Sequence, residues 1–179
     1  FERWFGTKDS DENDWRRFTA KYWGLVSLVD TAVGKILSAV EECGLEDYTI
    51  VVFTSDHGDM LGSHGLAAKQ LQFEESVRVP LTIKVPGHPR CGTVMHQPVS
   101  QIDLVPTLLD FMGSPVTGLR RGLRDIELQG YSWKPMLDGE GSLNEKDVFI
   151  EWTQGGGSLN KETFELDHPV RTIVTPDGW

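Results

Sequence analysis

The chain has few cysteines, and none of them lies in a pattern typical of metal binding or redox catalysis. Cys43 and Cys91 are the two cysteines among 179 residues, and neither belongs to a Cys-x-x-Cys pair. A zinc ribbon and a thioredoxin-type redox site are therefore without support in this sequence.

Basic side chains are also scarce relative to acidic ones. The chain carries 17 Lys and Arg against 27 Asp and Glu, which gives a formal net charge of −10. Nucleic acids and anionic membranes attract basic surfaces, so this balance argues against both as partners. No apolar run approaches the roughly 20 residues of a membrane-spanning helix, so we expect no membrane span.

What the chain does contain is a pattern of helices and apolar strands. Apolar residues recur at three- and four-residue steps from 15 to 40, which predicts a long helix capped by Ser10 or Asp11 and ended by Gly44. The run 49–54 is rich in β-branched residues, which suits a central strand covered on both faces. The other predicted elements are helices at 70–76 and 104–112, a capping box at Ser100–Asp103, strands at 78–85, 94–99, 148–152 and 170–175, loops at 153–168 and 176–178, and coil with one helical turn at 114–147.

The strand 49–54 ends at residues that are suited to binding a cation and an anion. Asp56 and His57 follow it after Ser55, at the end of the strand, where ligand sites of open α/β sheets collect. Hard divalent cations prefer oxygen ligands and accept imidazole in mixed sites, and Gly58 relaxes the backbone so that both side chains can turn toward one ion. Lys69 offers a positive charge to phosphate or sulfate oxygens. A metal and a lysine together can clamp a tetrahedral oxyanion.

The same residues also have purely structural interpretations. An Asp-His pair after a strand is more often a turn with local hydrogen bonds than a metal site, and two ligands do not complete such a site. A single loop lysine is usually exposed to solvent. His64 can contact a substrate, support the site indirectly, or bond to the loop backbone. Residue types alone leave these alternatives open.

Longer motifs resemble one protein family. The stretch TSDHGDMLGSHGLAAK (54–69), followed by FEESVRVPL (73–81) and VPG (85–87), closely resembles the sulfatase family of the alkaline phosphatase superfamily. The resemblance extends to residues 28–37 and 99–113, and further to 128–133 and the C-terminal end. It implies an α/β fold with a mixed sheet flanked by helices and the start of a small antiparallel C-terminal subdomain, incomplete as given.

The resemblance also implies the bounds of two domains and the roles of individual residues. Residues 1–113 would be the C-terminal part of the catalytic α/β domain, and 114–179 a connecting coil and partial subdomain. Asp56 and His57 would bind one divalent cation, usually calcium, with manganese and magnesium as alternatives. Lys69 would be the catalytic lysine that contacts sulfate or phosphoryl oxygens, and His64 is a further candidate for substrate contact. The Asp-His pair is similar to that of iduronate and choline sulfatases and of phosphonate monoester hydrolases.

One part of the family pattern is absent. The nucleophile of the family is a formylglycine made from the first residue of a C/S-x-P-x-R motif, whereas Gly-Leu-Glu-Asp follows Cys43 and Gly-Thr-Val-Met follows Cys91. No serine begins the motif, and the early aspartate pair that supplies other metal ligands is missing. We therefore expect a sulfatase portion that is cut at both ends and inactive alone, with the formylglycine in the N-terminal half.

Three functions are therefore compatible with the sequence. The parent protein is a sulfuric ester hydrolase, a phosphonate monoester or phosphodiester hydrolase, or a non-catalytic domain that keeps the fold. The expected partners are a sulfate ester, either a small molecule or a glycan, and the N-terminal half of the same protein. By resemblance, the expected location is exported, periplasmic or lysosomal.

Overall fold

The computed structural model describes residues 10–69, 72–121, 124–141, 147–152 and 170–175. The chain divides into two compact units, Phe1–Gly87 and His88–Trp179, and each is described here by itself. The domain boundary expected at residue 113 concerns the complete protein and stays a prediction. Described elements of the first unit are α1 (Glu12–Glu42), β1 (Val51–Thr54), α2 (Glu74–Val77), β2 (Leu81–Lys84) and 3-10 turns at Glu46–Tyr48 and Ser63–Gly65.

The predicted long helix is confirmed as α1. Its N-cap is Asp11, whose side chain accepts a hydrogen bond from Asp14 N at 2.9 Å, and the Asp14 carboxylate accepts one from Asp11 N at 3.3 Å. This reciprocal capping box satisfies N–H groups that have no partner within the first turn. The helix ends at Glu42, and Gly44 follows with φ +65°, a left-handed conformation that glycine adopts without strain.

No residue of α1 is buried, and its apolar residues include Trp23 at 63% and Leu28 at 66% exposure. By length and composition alone α1 could cross a membrane, contrary to the expectation that no apolar stretch is long enough. Core helices of soluble proteins have the same properties, so this is weak evidence and establishes no span.

The strands predicted at 49–54 and 78–85 are confirmed as β1 and β2 with narrower bounds. They pair antiparallel, with Val51 opposite Lys84 and Thr54 opposite Leu81. Within the described ranges β1 has no second strand neighbour, and Phe53 is 44% exposed. The strand is therefore not covered on both faces there, in contrast to the prediction from its apolar sequence.

The second unit contains three helical elements and two antiparallel strand pairs among its described residues. The capping box at Ser100 and Asp103 is confirmed, and so are the helix that follows it and the last two predicted strands. These elements are a 3-10 turn at Gln101–Asp103, α3 (Leu104–Phe111), β3 (Leu119–Arg121), β4 (Arg124–Ile126), α4 (Lys134–Asp138), β5 (Val148–Trp152) and β6 (Val170–Val174).

Two sequence predictions in this unit are wrong. Residues 94–99 form no strand, and Pro98 lacks the N–H that a strand ladder requires. The segment 114–147, expected to be coil with one helical turn, also contains the hairpin β3–β4, because three-residue strands are too short to show an alternating pattern. The expected helical turn is confirmed as α4. The predicted loops at 153–168 and 176–178 lie outside the described residues.

Asp103 joins α3 to the segment that precedes α4. Its carboxylate accepts hydrogen bonds from Tyr131 N at 2.8 Å, Trp133 Nε1 at 3.1 Å and Ser100 N at 3.2 Å. Trp133 is buried, and it forms the hydrophobic core of this unit with Met136. Since buried carboxylates need such partners, Asp103 is a structural residue that orients Trp133.

We expect Asp103→Asn to lower the free energy of unfolding of the full-length protein by about 2–4 kcal/mol, because an amide cannot accept all three bonds and its NH₂ group faces donors. Chemical denaturation followed by tryptophan fluorescence measures the change. Asp147→Asn, at an exposed position, is the matched control and should shift stability by less than about 0.5 kcal/mol. Equal effects of the two substitutions would contradict a structural role for Asp103.

Candidate functional site

The strand β1 ends in a short turn that is held by local hydrogen bonds. His57 N donates to Asp56 Oδ1 at 3.0 Å, and Ser55 Oγ donates to the carbonyl oxygen of His57 at 2.8 Å. Asp56 and His57 therefore do form a turn with local hydrogen bonds, which was the structural interpretation of this pair. It does not exclude a binding role, because Asp56 Oδ2 and His57 Nε2 take no part in these turn bonds.

Those two atoms lie 3.2 Å apart at the end of β1. His57 Nδ1 lies 2.8 Å from the carbonyl oxygen of Gly58. A carbonyl only accepts hydrogen bonds, so in the neutral ring Nδ1 carries the proton and Nε2 keeps its lone pair. A backbone carbonyl that fixes the tautomer in this way is a common arrangement behind metal-binding histidines. Asp56 and His57 thus present an oxygen and a nitrogen ligand side by side.

Lys69 reaches the same point from the far end of the loop. Its Nζ is in direct hydrogen-bond contact with His57 Nε2. The structure therefore brings together the three residues singled out from the sequence for a cation and an oxyanion. Their roles stay predictions, whereas their proximity is observed.

The charge state of Asp56 also suits a cation. Desolvation raises the pKa of this carboxyl, but the hydrogen bond from His57 N, the neighbouring His57 ring and the Lys69 ammonium group together outweigh it and leave the pKa below its usual value. The group is therefore ionised at neutral pH, which is the form that a hard cation binds.

This donor pair fits part of a divalent site. Calcium takes six to eight ligands and accepts carboxylate oxygens, and mixed oxygen and imidazole sites also suit manganese. Among the described residues no three His, Cys, Asp or Glu side chains meet at one point. Asp56 and His57 can therefore hold an ion only together with further ligands.

Gly58 fixes this turn against α2. Its N–H donates to the carbonyl oxygen of Ser76 at 2.8 Å, and a Cβ atom at this position would lie 2.0 Å from the carbonyl oxygen of Glu75. The sequence suggested only that Gly58 relaxes the backbone. The structure shows that glycine is required because two backbone segments approach closely here.

His64 does not share the contacts of the other three residues. Its ring stacks on Phe73 with centroids 4.0 Å apart, and its Nε2 lies 3.6 Å from Glu75 Oε1. Sequence reasoning gave Phe73 and Glu75 no function, although both lie in the FEES segment that contributes to the family resemblance. The contacts of His64 neither test nor exclude its expected contact with a substrate.

The chain is similar to known sulfatases. The sulfatase family model matches residues 1–114. The chain is 34% identical over 174 residues to an arylsulfatase of Clostridium perfringens, with 89% of this chain and 36% of that protein covered. It is 35% identical over 127 residues to an N-acetylglucosamine-6-O-sulfatase of Bacteroides thetaiotaomicron, with 71% and 21% covered.

A solved structure extends the likeness to the fold. The phosphonate monoester hydrolase of Silicibacter pomeroyi superposes with a TM-score of 0.69 at 32% identity, covering 82% of this chain and 28% of that one. This likeness confirms the predicted fold class. The chain spans about a third or less of the length of these proteins. Because the family model matches well over half of its residues, the chain belongs to the sulfatase family.

Proposed function

We propose that this chain is part of a sulfuric ester hydrolase that uses Asp56 and His57 to bind a divalent cation and Lys69 to contact the sulfate oxygens. The observation that carries the proposal is the contact of Lys69 Nζ with His57 Nε2, beside the Asp56 carboxylate. A cation and an ammonium group at one point form a clamp for a tetrahedral dianion or monoanion. The similarity to two sulfatases supports the same reaction class.

Each residue has a separate task in this proposal. Asp56 supplies negative charge to the ion, and His57 supplies a neutral nitrogen whose orientation the Gly58 carbonyl fixes. Lys69 donates hydrogen bonds to sulfate oxygens, whose charge distribution changes in the transition state as the S–O bond breaks and its electron pair passes to the leaving-group oxygen. The cation, when bound, supplies Lewis-acid polarisation of the same oxygens.

The identity of the ion and of the nucleophile belongs to the same proposal. Calcium is the ion that the family resemblance favours, and an oxygen-nitrogen pair suits it without selecting it over manganese or magnesium. The formylglycine expected for the family would come from residues other than these 179, since no C/S-x-P-x-R motif occurs among them.

Substitution of Lys69 tests the proposal. In the full-length protein we expect Lys69→Ala to reduce kcat/KM for an aryl sulfate by about 10²–10³-fold, because one charged donor to the developing oxyanion is lost. Lys69→Arg should recover part of this loss, since the charge remains but its geometry changes. Lys84→Ala removes an exposed lysine 3.7 Å from Glu46 and should leave kcat/KM unchanged. Wild-type activity in Lys69→Ala would overturn the role of this lysine.

A phosphonate monoester is the second candidate substrate, because the Silicibacter pomeroyi hydrolase is similar in both sequence and fold. The same cation and lysine would accept a phosphoryl group, because its phosphorus atom is also tetrahedral and carries anionic oxygens. The ratio of kcat/KM for an aryl sulfate and an aryl phosphonate in the full-length protein separates the two. A ratio in favour of the phosphonate would replace the sulfatase assignment.

A further inference from the structure

The loop between His57 and Lys69 bends through three non-glycine residues in the left-handed region. They are Leu61 with φ 48°, His64 with φ 56° and Ala68 with φ 64°. Side chains rarely adopt this conformation, and it persists only where the surroundings hold it in place. Contacts with the surrounding residues must therefore stabilise this loop.

A group of side chains that the proposed chemistry does not use holds the tip of the loop. The His64 ring lies nearly parallel to Phe73, with 12° between the planes, and its Nε2 lies 3.6 Å from Glu75 Oε1. A hydrogen bond from its own backbone N–H, together with one from Ser63, lowers the pKa of Glu75. Glu75 is therefore an anion that engages two adjacent residues of the loop tip.

Backbone hydrogen bonds connect the tip of the loop to its C-terminal end, where Lys69 lies. Met60 N donates to the carbonyl oxygen of Ala68 at 2.8 Å, and Gly62 N donates to that of Leu66 at 2.8 Å. The Met60 side chain is 1% exposed, so the base of the loop is anchored. Ala68 directly precedes Lys69, and a displaced loop tip would therefore displace Lys69.

We propose that His64 is a positioning residue, which through Phe73 and Glu75 holds the loop 59–68 so that Lys69 stays beside His57. This inference rests on the proposed function, because it is there that Lys69 contacts sulfate. It differs from the substrate contact expected for His64 from the sequence. In the structure one face of the ring is stacked on Phe73, and one edge is directed to Glu75.

Two substitutions separate positioning from substrate contact in the full-length protein. His64→Asn tolerates the left-handed backbone but loses the ring, and we expect it to reduce kcat/KM for an aryl sulfate about 10- to 100-fold, as misplacement of a catalytic group does. His64→Phe keeps an aromatic ring against Phe73 but loses the contact with Glu75 and strains the left-handed backbone, so we expect it to retain part of the activity and to lose less than His64→Asn. His96→Asn, the same change at an exposed histidine, is the control and should have no effect.

Two readouts follow the loop without relying on turnover. In His64→Asn we expect faster amide hydrogen exchange across 60–68 and a several-fold faster modification of Lys69 by an amine reagent, identified by peptide mapping. His96→Asn should match the wild-type protein in both, and His64→Phe should lie between the wild-type protein and His64→Asn. Thermal unfolding of each variant verifies that the protein remains folded.

The outcomes distinguish this inference from the proposed function. Wild-type exchange and Lys69 modification in His64→Asn would overturn positioning, whatever the activity. Equal loss of activity in both His64 variants, with the loop still protected, would assign His64 to substrate contact and would also overturn it. If the wild-type protein hydrolyses no sulfate ester, the proposed function fails, yet exchange and modification still decide whether His64 holds Lys69.

Discussion

Asp56→Ala should abolish measurable hydrolysis of an aryl sulfate by the full-length protein, with kcat/KM reduced about 10³-fold or more. The substitution removes the carboxylate that lies 3.2 Å from His57 Nε2 and with it the negative charge that a hard cation requires. It also removes the acceptor of the His57 N–H, so the turn at the end of β1 loosens. Calcium affinity, measured by isothermal titration calorimetry, should fall at least about 100-fold.

Asp56→Asn refines this expectation. An amide oxygen can still bind a cation, but without its charge, so we expect an intermediate loss that excess calcium partly restores. Asp47→Ala, an exposed acidic residue on the 3-10 turn before β1, controls for the change in net charge. Unchanged metal affinity in Asp56→Ala would remove this residue from the metal site, even if activity were lost.

Gly58→Ala should lower both stability and activity, acting through the backbone. The new Cβ would lie 2.0 Å from the carbonyl oxygen of Glu75 and 3.0 Å from its carbon, a distance at which one of the two segments must move. Because Gly58 O accepts the bond that orients His57 and Gly58 N bonds to Ser76, movement disturbs both. We expect a loss of about 2–4 kcal/mol in the free energy of unfolding and at least about 100-fold in kcat/KM.

Gly24→Ala is the matched control for this substitution. Gly24 lies within α1, and among the described residues no atom outside its helix lies within 4 Å of the position that a Cβ would take. Alanine favours helix by about 1 kcal/mol over glycine, so the control should be neutral or slightly stabilising. A Gly58→Ala protein with wild-type stability and activity would mean that the approach to Glu75 is not essential.

The sequence was most informative where local chemistry decides the structure. The N-cap at Asp11 and the capping box at Ser100 and Asp103 depend on residues within three positions of each other, and both are confirmed. The hairpin β3–β4 was missed because its strands have three residues each. The two-sided cover expected for β1 depends on what packs against it, which its own sequence does not specify.

The candidate site likewise contains features that the sequence predicted and features that it could not predict. Residue types selected Asp56, His57 and Lys69, and the structure places them in contact. The sequence could not predict that the backbone of Glu75 lies close to Gly58 or that His64 stacks on Phe73. Both contacts depend on how α2 packs against the loop. Such non-local contacts have no periodic signature in the sequence.

The contact between Lys69 and His57 joins residues that are only twelve positions apart in the chain. The entropy lost on closing a loop grows with the logarithm of its length, so a segment this short is closed at little cost compared with pairings between distant strands. Low contact order also favours early formation during folding. The residues proposed to bind the ion and the sulfate group can therefore come together as a local unit, before the slower, long-range pairings of the protein are complete.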